Sequence, residues 1–328
     1  MTEKNLVTTI HDALKEEMEA DERVVMLGED IGRDGGVFRI SEGFLDAFGE
    51  GRVIDTPLAE SSIVGISIGM ALHGLLPVAE IEFADFIHSA FDQIVSEAAR
   101  IRYRSNGDFG VPLVIRAPWG GGIHGALYHS QSIEALYGHI PGLKVVTPAT
   151  PFDAKGLLRA AIRDPDPVLF LEPKKCYRAI SGEVPDETYE VPIGRADVKR
   201  EGEDLTLVAY GWMLHVCLEA AQRLQEEDGE TAEVVDVRTI SPLDKETILA
   251  SVRKTGKAMV VYEDNRTYGA GAEIAATIAE EAMFDLDGPV VRVGGPDVPA
   301  MPFAKALEDA YLPNADTVLR KIRELARF

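Results

Sequence analysis

Short runs of β-branched and apolar residues alternate with amphipathic helical stretches along the whole chain, and this alternation restricts the fold more than any other feature. Val24–Leu27, Leu76–Ile81, Pro112–Arg116, Leu143–Val146 and Val168–Leu171 are each short, apolar and bounded by turn residues, as strands buried on both faces are. Between them Phe86, Ala90, Phe91, Ile94, Ala98 and Ile101 recur at three- and four-residue steps, which predicts one helix with a single buried face. Thr150-Pro151-Phe152-Asp153 combines an N-cap, a proline at the first helical position and an acid in the first turn. Strands joined by crossover helices predict a parallel, doubly wound α/β sheet.

The rhythm breaks once. From Pro173 to Asp204 the chain is irregular and charged, with several prolines, and reads as a connector. It then resumes with strand candidates Leu205–Ala209, Ala232–Val237, Ala258–Tyr262 and Pro289–Val293, and a helix opening at Ser241-Pro242-Leu243-Asp244. A chain of 328 residues, at roughly 150 residues per domain, fits two units. We expect a larger one over residues 1–190 and a smaller α/β unit over 191–328.

Composition removes several classes of function. Hydrophobic residues at 46% and charged residues at 27% leave ample material for a core. The balance of 33 Lys and Arg against 55 Asp and Glu gives a net charge of −22. Phosphate backbones and anionic lipid would repel such a chain, so neither nucleic acid nor a membrane is an expected partner. Two cysteines, Cys176 and Cys217, make neither a disulfide framework nor a four-cysteine zinc site. The N-terminal segment lacks the apolar core of a signal peptide, and no apolar run is long enough for a transmembrane helix, so a cytoplasmic location is expected.

Three segments could carry chemistry. The first is Asp55-Thr56-Pro57-Leu58-Ala59-Glu60, which follows a strand-like Arg52-Val53-Ile54 and enters a stretch rich in Gly, Ser and Ala that a backbone or flat ligand could approach closely. Glu60 in the opening turn is either a functional carboxylate or a partner of the helix dipole. The second, Gly120 to Gln131, sits at the carboxyl end of a strand, where open α/β sheets bind ligands. Gly120, Gly122 and Gly125 fit a dinucleotide fingerprint, but no long apolar helix and no downstream acid accompany them. His124, His129 and His139 do not have zinc-ligand spacing. The third, Glu29-Asp30, ends the first strand, as a functional acid or as a turn former.

Taken together, LGEDIG, DTPLAESSIVG, HGALYHSQS, FLEPKKCYR and EVVDVRTISPLD resemble the β subunit of the E1 component of 2-oxo-acid dehydrogenase complexes over nearly the whole chain. That thiamine-diphosphate family includes the pyruvate and branched-chain enzymes, with acetoin dehydrogenase as a cousin. The resemblance implies a pyrimidine-binding domain followed by a transketolase C-terminal-like domain, and an α2β2 heterotetramer with cofactor bound between an α and a β chain. It also implies decarboxylation of a 2-oxo acid and acyl transfer to the lipoyl domain of an E2 partner. The Gly-Asp-Gly…Asn motif that holds Mg²⁺ and diphosphate in such enzymes is missing; Asn106-Gly107-Asp108-Phe109-Gly110 lacks the second glycine in place. Mg²⁺ would then be held mainly by the α subunit. A stand-alone transketolase-like enzyme would need its own diphosphate motif. A non-catalytic module keeping the scaffold would have no use for Glu60 and His129.

Carried over residue by residue, Glu60 matches the glutamate on N1′ of the aminopyrimidine, where a carboxyl that shares a proton with the ring favours loss of the thiazolium C2 proton. His129 matches the histidine on the substrate side of C2, and imidazole titrates near neutrality. Glu29, Leu58, Ala59 and Phe86 match further cofactor contacts. Phe83, Ala84, Asp85 and Phe86 would wall the substrate, and Tyr128, Ser130 and Gln131 would line the same pocket. Glu82 stands where close relatives often have an amide, which places a second carboxylate beside the cofactor. Some relatives bind K⁺ through carbonyls in the stretch matching Leu113, Ala161, Ile162, Asp164 and Asp166. HGALYHSQS and FLEPKKCYRA resemble the branched-chain members most.

Overall fold

The computed structural model describes all 328 residues. A seven-stranded sheet has the spatial order Thr239–Ser241, Lys144–Val146, Val168–Pro173, Val114–Trp119, Leu76–Glu80, Val24–Gly28 and Val53–Asp55. Six of these strands are parallel, and Thr239–Ser241 joins antiparallel at the edge. A five-stranded sheet follows, ordered Val291–Gly295, Ala258–Asn265, Leu205–Ala209, Ala232–Asp236 and Asp197–Arg200, the last antiparallel. The doubly wound α/β reading of the sequence matches this architecture.

Because successive strand side chains point to opposite faces, the apolar runs divide between two cores. Val24, Met26, Val78, Val114 and Phe170 pack with Leu6, Ile10, Leu14 and Leu157 from two helices on one face. Leu27, Ala79, Ile115 and Leu169 pack with Ile63, Ile68, Ile87 and Ile94 on the other. That second core continues without a break into Val208, Val260 and Tyr262 of the smaller sheet, with the Trp119 and Tyr210 ring centroids 6.2 Å apart at the junction. No helix is long and apolar enough to cross a membrane.

Two expectations need correcting. The helix expected through Phe86–Ile101 is broken into a tight 3₁₀ segment, Ala84–Ala90, a wide π-type turn, Gln93–Ala98, and a last turn, Ile101–Arg104. Ala90, Ile94, Ala98 and Ile101 are buried, but the changes in winding leave Phe91 exposed. Such interruptions recur at functional positions. The stretch 173–204 is more than a connector. Ser181–Val184 pairs antiparallel with Thr2–Asn5 at the N-terminus, and Asp197–Arg200 forms the edge of the smaller sheet. Polar and charged residues on these exposed or half-exposed edge strands hide them from a hydrophobic pattern.

Candidate active site

From Val24–Gly28 the chain runs outward to Val53–Asp55 and then returns to the other side of Val24–Gly28 as Leu76–Glu80. The carboxyl ends of Val24–Gly28 and Leu76–Glu80 therefore flank a topological switch point, where open α/β sheets take ligands. Glu29 leaves the first of these strands, Glu82 and Phe83 leave the second, and Glu60 opens the helix Glu60–Leu72 that follows Val53–Asp55. Residues scattered over a hundred positions are thus gathered at one end of the sheet.

Glu60 is 9% exposed, and its Oε2 accepts a hydrogen bond of 2.8 Å from the Ser89 hydroxyl. Beside it, burial raises the Glu29 carboxyl above its ordinary range, reinforced by the charges of Glu82, Asp30 and Glu60. Burial likewise raises Glu82; Asp30 and Glu60 add to this and His129 opposes it. The charges of Asp30 and Glu60 thus act on both Glu29 and Glu82, and both of these carboxyls are pushed toward their neutral forms. The second carboxylate expected at position 82 faces this cluster.

His129 stands in an aromatic corner. The Phe83 ring meets it edge-on at 4.4 Å between centroids and Phe86 at 5.6 Å, and the two phenyl rings are 6.1 Å apart. Such edge-to-face contacts fix the imidazole's orientation without using its nitrogens. Behind Phe83, the Lys174 ammonium lies 5.8 Å from the ring centroid. Burial lowers its pKa to about 8, with Asp85 and Glu263 partly restoring its charge. Asp85 is itself raised by burial, and its Oδ1 accepts the Gln131 N–H at 3.0 Å.

The rest of the expected set divides. Leu58, 67% exposed, and Tyr128, 61% exposed, stand at the rim as large apolar groups without cover from this chain. Ala59 is half-buried at the N-cap of the Glu60 helix, and Gln131 turns its amide to the Leu127 carbonyl at 3.1 Å. Ala84 and Ser130 are fully buried, and the Ser130 hydroxyl accepts the Gly125 N–H at 3.1 Å inside the loop.

The floor of the site is a buried ion triad that sequence reasoning missed. Arg116 donates to Glu172 at 2.7 and 3.0 Å and to Glu80 at 2.6 Å, and the Tyr177 hydroxyl donates to Glu172 at 2.5 Å. These groups come from three adjacent central strands, so only the sheet order reveals them. Ser89 was missed as well, since no pattern links a lone serine to an acid 29 positions away.

The cation stretch gives a mixed picture. Lys144 Nζ contacts both Asp164 carboxylate oxygens, at 2.6 and 2.5 Å, and Arg102 engages Asp166. The Leu113 carbonyl already accepts the Val168 N–H at 2.9 Å, and Ala161 that of Asp164 at 3.3 Å. A carbonyl oxygen has two lone pairs, so main-chain donors remain while the side-chain ones are taken.

Comparison with known proteins matches the chain to the transketolase pyrimidine-binding domain over residues 3–179 and to the transketolase C-terminal domain over 194–318. It is 56% identical to the 2-oxoisovalerate dehydrogenase subunit beta of Bacillus subtilis (strain 168), over 100% of both chains. The chain belongs to the E1 β-subunit family. This E1 β chain is also 49% identical, over 100% of both chains, to the pyruvate dehydrogenase E1 component subunit beta of the same organism. Among solved structures it resembles one described as "Split gene transketolase, inactive beta4 tetramer", at 27% identity and a TM-score of 0.78 over 98% of each chain. The site described above thus lies on an E1 β scaffold, with Glu29, Glu82 and Phe83 at the carboxyl ends of two of its central strands.

Proposed function

We propose that this chain is the β half of a thiamine-diphosphate-dependent branched-chain 2-oxo-acid dehydrogenase, working in an α2β2 heterotetramer and delivering its acyl group to the lipoyl domain of an E2 partner. The observation that carries this reading is a buried Glu60, held by Ser89, whose charge acts on Glu82 together with that of His129, an imidazole set in an aromatic corner.

The residues fit the aminopyrimidine end of the cofactor. Glu60 offers a desolvated carboxyl for N1′, while Leu58 and Phe86 offer apolar contact. They do not fit its diphosphate end. Asn106–Gly110 precedes the strand Val114–Trp119 and so lies at the amino end of the sheet, away from Glu60. The diphosphate and Mg²⁺ are accordingly assigned to the α chain. When bound, the cofactor would supply a nucleophilic carbon and an electron sink for decarboxylation.

This chain contributes proton management and shape. Glu60 holds a proton at the ring nitrogen, with Glu29 and Glu82 beside it pushed by burial toward their neutral forms. His129, kept in one orientation by Phe83 and Phe86, moves a proton at the substrate oxygen or at the lipoyl sulfur. Phe83 and Phe86 give the pocket an apolar wall suited to a branched side chain.

The test is an assay of the purified α–β pair with 3-methyl-2-oxobutanoate and with pyruvate. We expect a higher kcat/KM for the branched acid. The branched acid carries two carbons more than pyruvate, and each methylene in an apolar pocket discriminates by about 10- to 200-fold. Preference for pyruvate would move the assignment to the pyruvate enzymes, and turnover of neither would remove it.

We also infer a K⁺ site at the turn joining Ala161, Ile162, Asp164 and Asp166 to Leu113, with main-chain carbonyls as donors. Potassium chloride should raise the thermal midpoint of the chain above that in sodium chloride of equal ionic strength, as a ligand bound only to the native state does. Equal midpoints would remove this site.

A further inference from the structure

The loop from Gly120 to Gln131, which carries His129, holds a backbone that a free chain would avoid. Gly120 and Gly122 have φ of 83° and 82°, and His124 and Ala126 follow at 60° and 56°. A side chain in the left-handed region costs on the order of 1 kcal/mol, so two such residues close together need support from outside the loop. Inside it, few bonds tie the loop to itself: Gly120 N–H to the Gln131 carbonyl at 3.2 Å, Gly125 N–H to the Ser130 hydroxyl at 3.1 Å and the Gln131 amide to the Leu127 carbonyl at 3.1 Å.

Carboxylates supply the outside support. Asp85 takes the Gln131 N–H on the limb next to His129. The other limb is held from the far half of the chain. Glu263, at the end of Ala258–Asn265, accepts the Gly121 N–H, and it accepts the Ser132 hydroxyl at 3.4 Å. Glu308, in the helix Lys305–Tyr311, accepts the Gly122 N–H at 2.9 Å and the His124 N–H at 3.3 Å through Oε1, while Oε2 lies against His124 Nδ1. Glu308 is fully buried, yet its carboxylate makes no hydrogen bond or ion pair within its own half of the chain. Burying a charge is costly unless it is matched by donors, and every donor that matches this one belongs to the His129 loop.

We propose that Glu308 is a positioning residue for His129: a clamp from the second half of the chain that keeps the left-handed limb Gly122–Ala126 in place and so fixes the imidazole against Phe83 and Phe86. The proposal rests on reading His129 as the group facing the substrate. Glu308 touches neither substrate nor cofactor. Its influence passes through backbone amides, so acceptance of those two hydrogen bonds matters more than its charge.

The test compares Glu308→Ala, Glu308→Gln and His129→Ala in the α–β pair, together with hydrogen exchange of the 120–131 segment. Glu308→Ala should speed exchange of the Gly122 and His124 amides. It should also lower kcat by about 10- to 100-fold, the scale expected when a reacting group is misplaced by about an ångström, with KM for the 2-oxo acid little changed. Glu308→Gln keeps an acceptor oxygen and should restore both protection and most of kcat. Unchanged exchange and kcat in Glu308→Ala overturn the clamp, and so does a Glu308→Gln variant as impaired as the alanine one. If His129→Ala turns over like wild type, the reading of His129 is what fails, and the exchange measurement alone then decides whether the clamp exists.

Discussion

Glu60→Gln should fold as the wild type does and lose about 10²- to 10⁴-fold in 2-oxo-acid turnover, the range that a positioned proton-transfer group typically contributes. Glutamine is isosteric and still accepts the Ser89 hydroxyl, so the opening of the Glu60–Leu72 helix keeps its one side-chain bond. What it loses is the ability to exchange a proton with a ring nitrogen. Glu29 and Glu82 both feel the charge of Glu60, but the position at the helix N-terminus belongs to Glu60 alone. Thermal unfolding of the variant and steady-state turnover of its α–β pair are the paired measurements. Near-normal turnover would contradict the role assigned to Glu60, whereas a collapse in stability would mean that its burial is structural.

Arg116→Met is expected to cost about 3–5 kcal/mol of stability, the scale of a buried ion pair that loses one partner. The guanidinium is fully buried between Glu80 and Glu172, and removing it strands two carboxylates in the middle of the sheet. Burial already pushes the Glu80 carboxyl upward, with Arg116 the main opposing influence, so the variant would shift Glu80 toward its neutral form. A raised carboxyl pKa in the folded state favours the fold at low pH and withdraws that support as pH rises through the folded value. The variant should therefore recover part of its loss on acidification, before general acid unfolding begins. Urea midpoints at two pH values, at constant m, measure this. Adding Glu80→Gln and Glu172→Gln should return part of the stability even at neutral pH. No loss in Arg116→Met would show that the triad does not anchor the sheet.

Strands buried on both faces were legible because a doubly covered strand must be apolar throughout, whichever way its side chains point. Val168–Pro173 and Leu205–Ala209 are of this kind. The edge strands Ser181–Val184 and Asp197–Arg200 were not, since one exposed side lets charges in and erases the pattern. The interrupted helix at 84–104 kept its buried residues at helical spacing while its backbone changed pitch, which spacing alone does not record. In the site, Glu60 and His129 stood out only when several motifs were read together; either alone fits a helix-dipole carboxylate or a loop histidine. Ser89, Arg116, Glu263 and Glu308 carry no sequence signal, because each acts on a residue that only the sheet order or the packing of the two halves brings near.

The short strand Thr239–Ser241 reaches back from the second half of the chain and covers the outer edge of Lys144–Val146 in the large sheet. A fragment ending at the connector would be left with a bare row of amides and carbonyls there, an invitation to pair with its own copies. Its far half would likewise shed the partners of Glu263 and Glu308. Each portion of the polypeptide thus finishes the other, and a swivel between them would pull Glu263 and Glu308 away from the loop that carries His129.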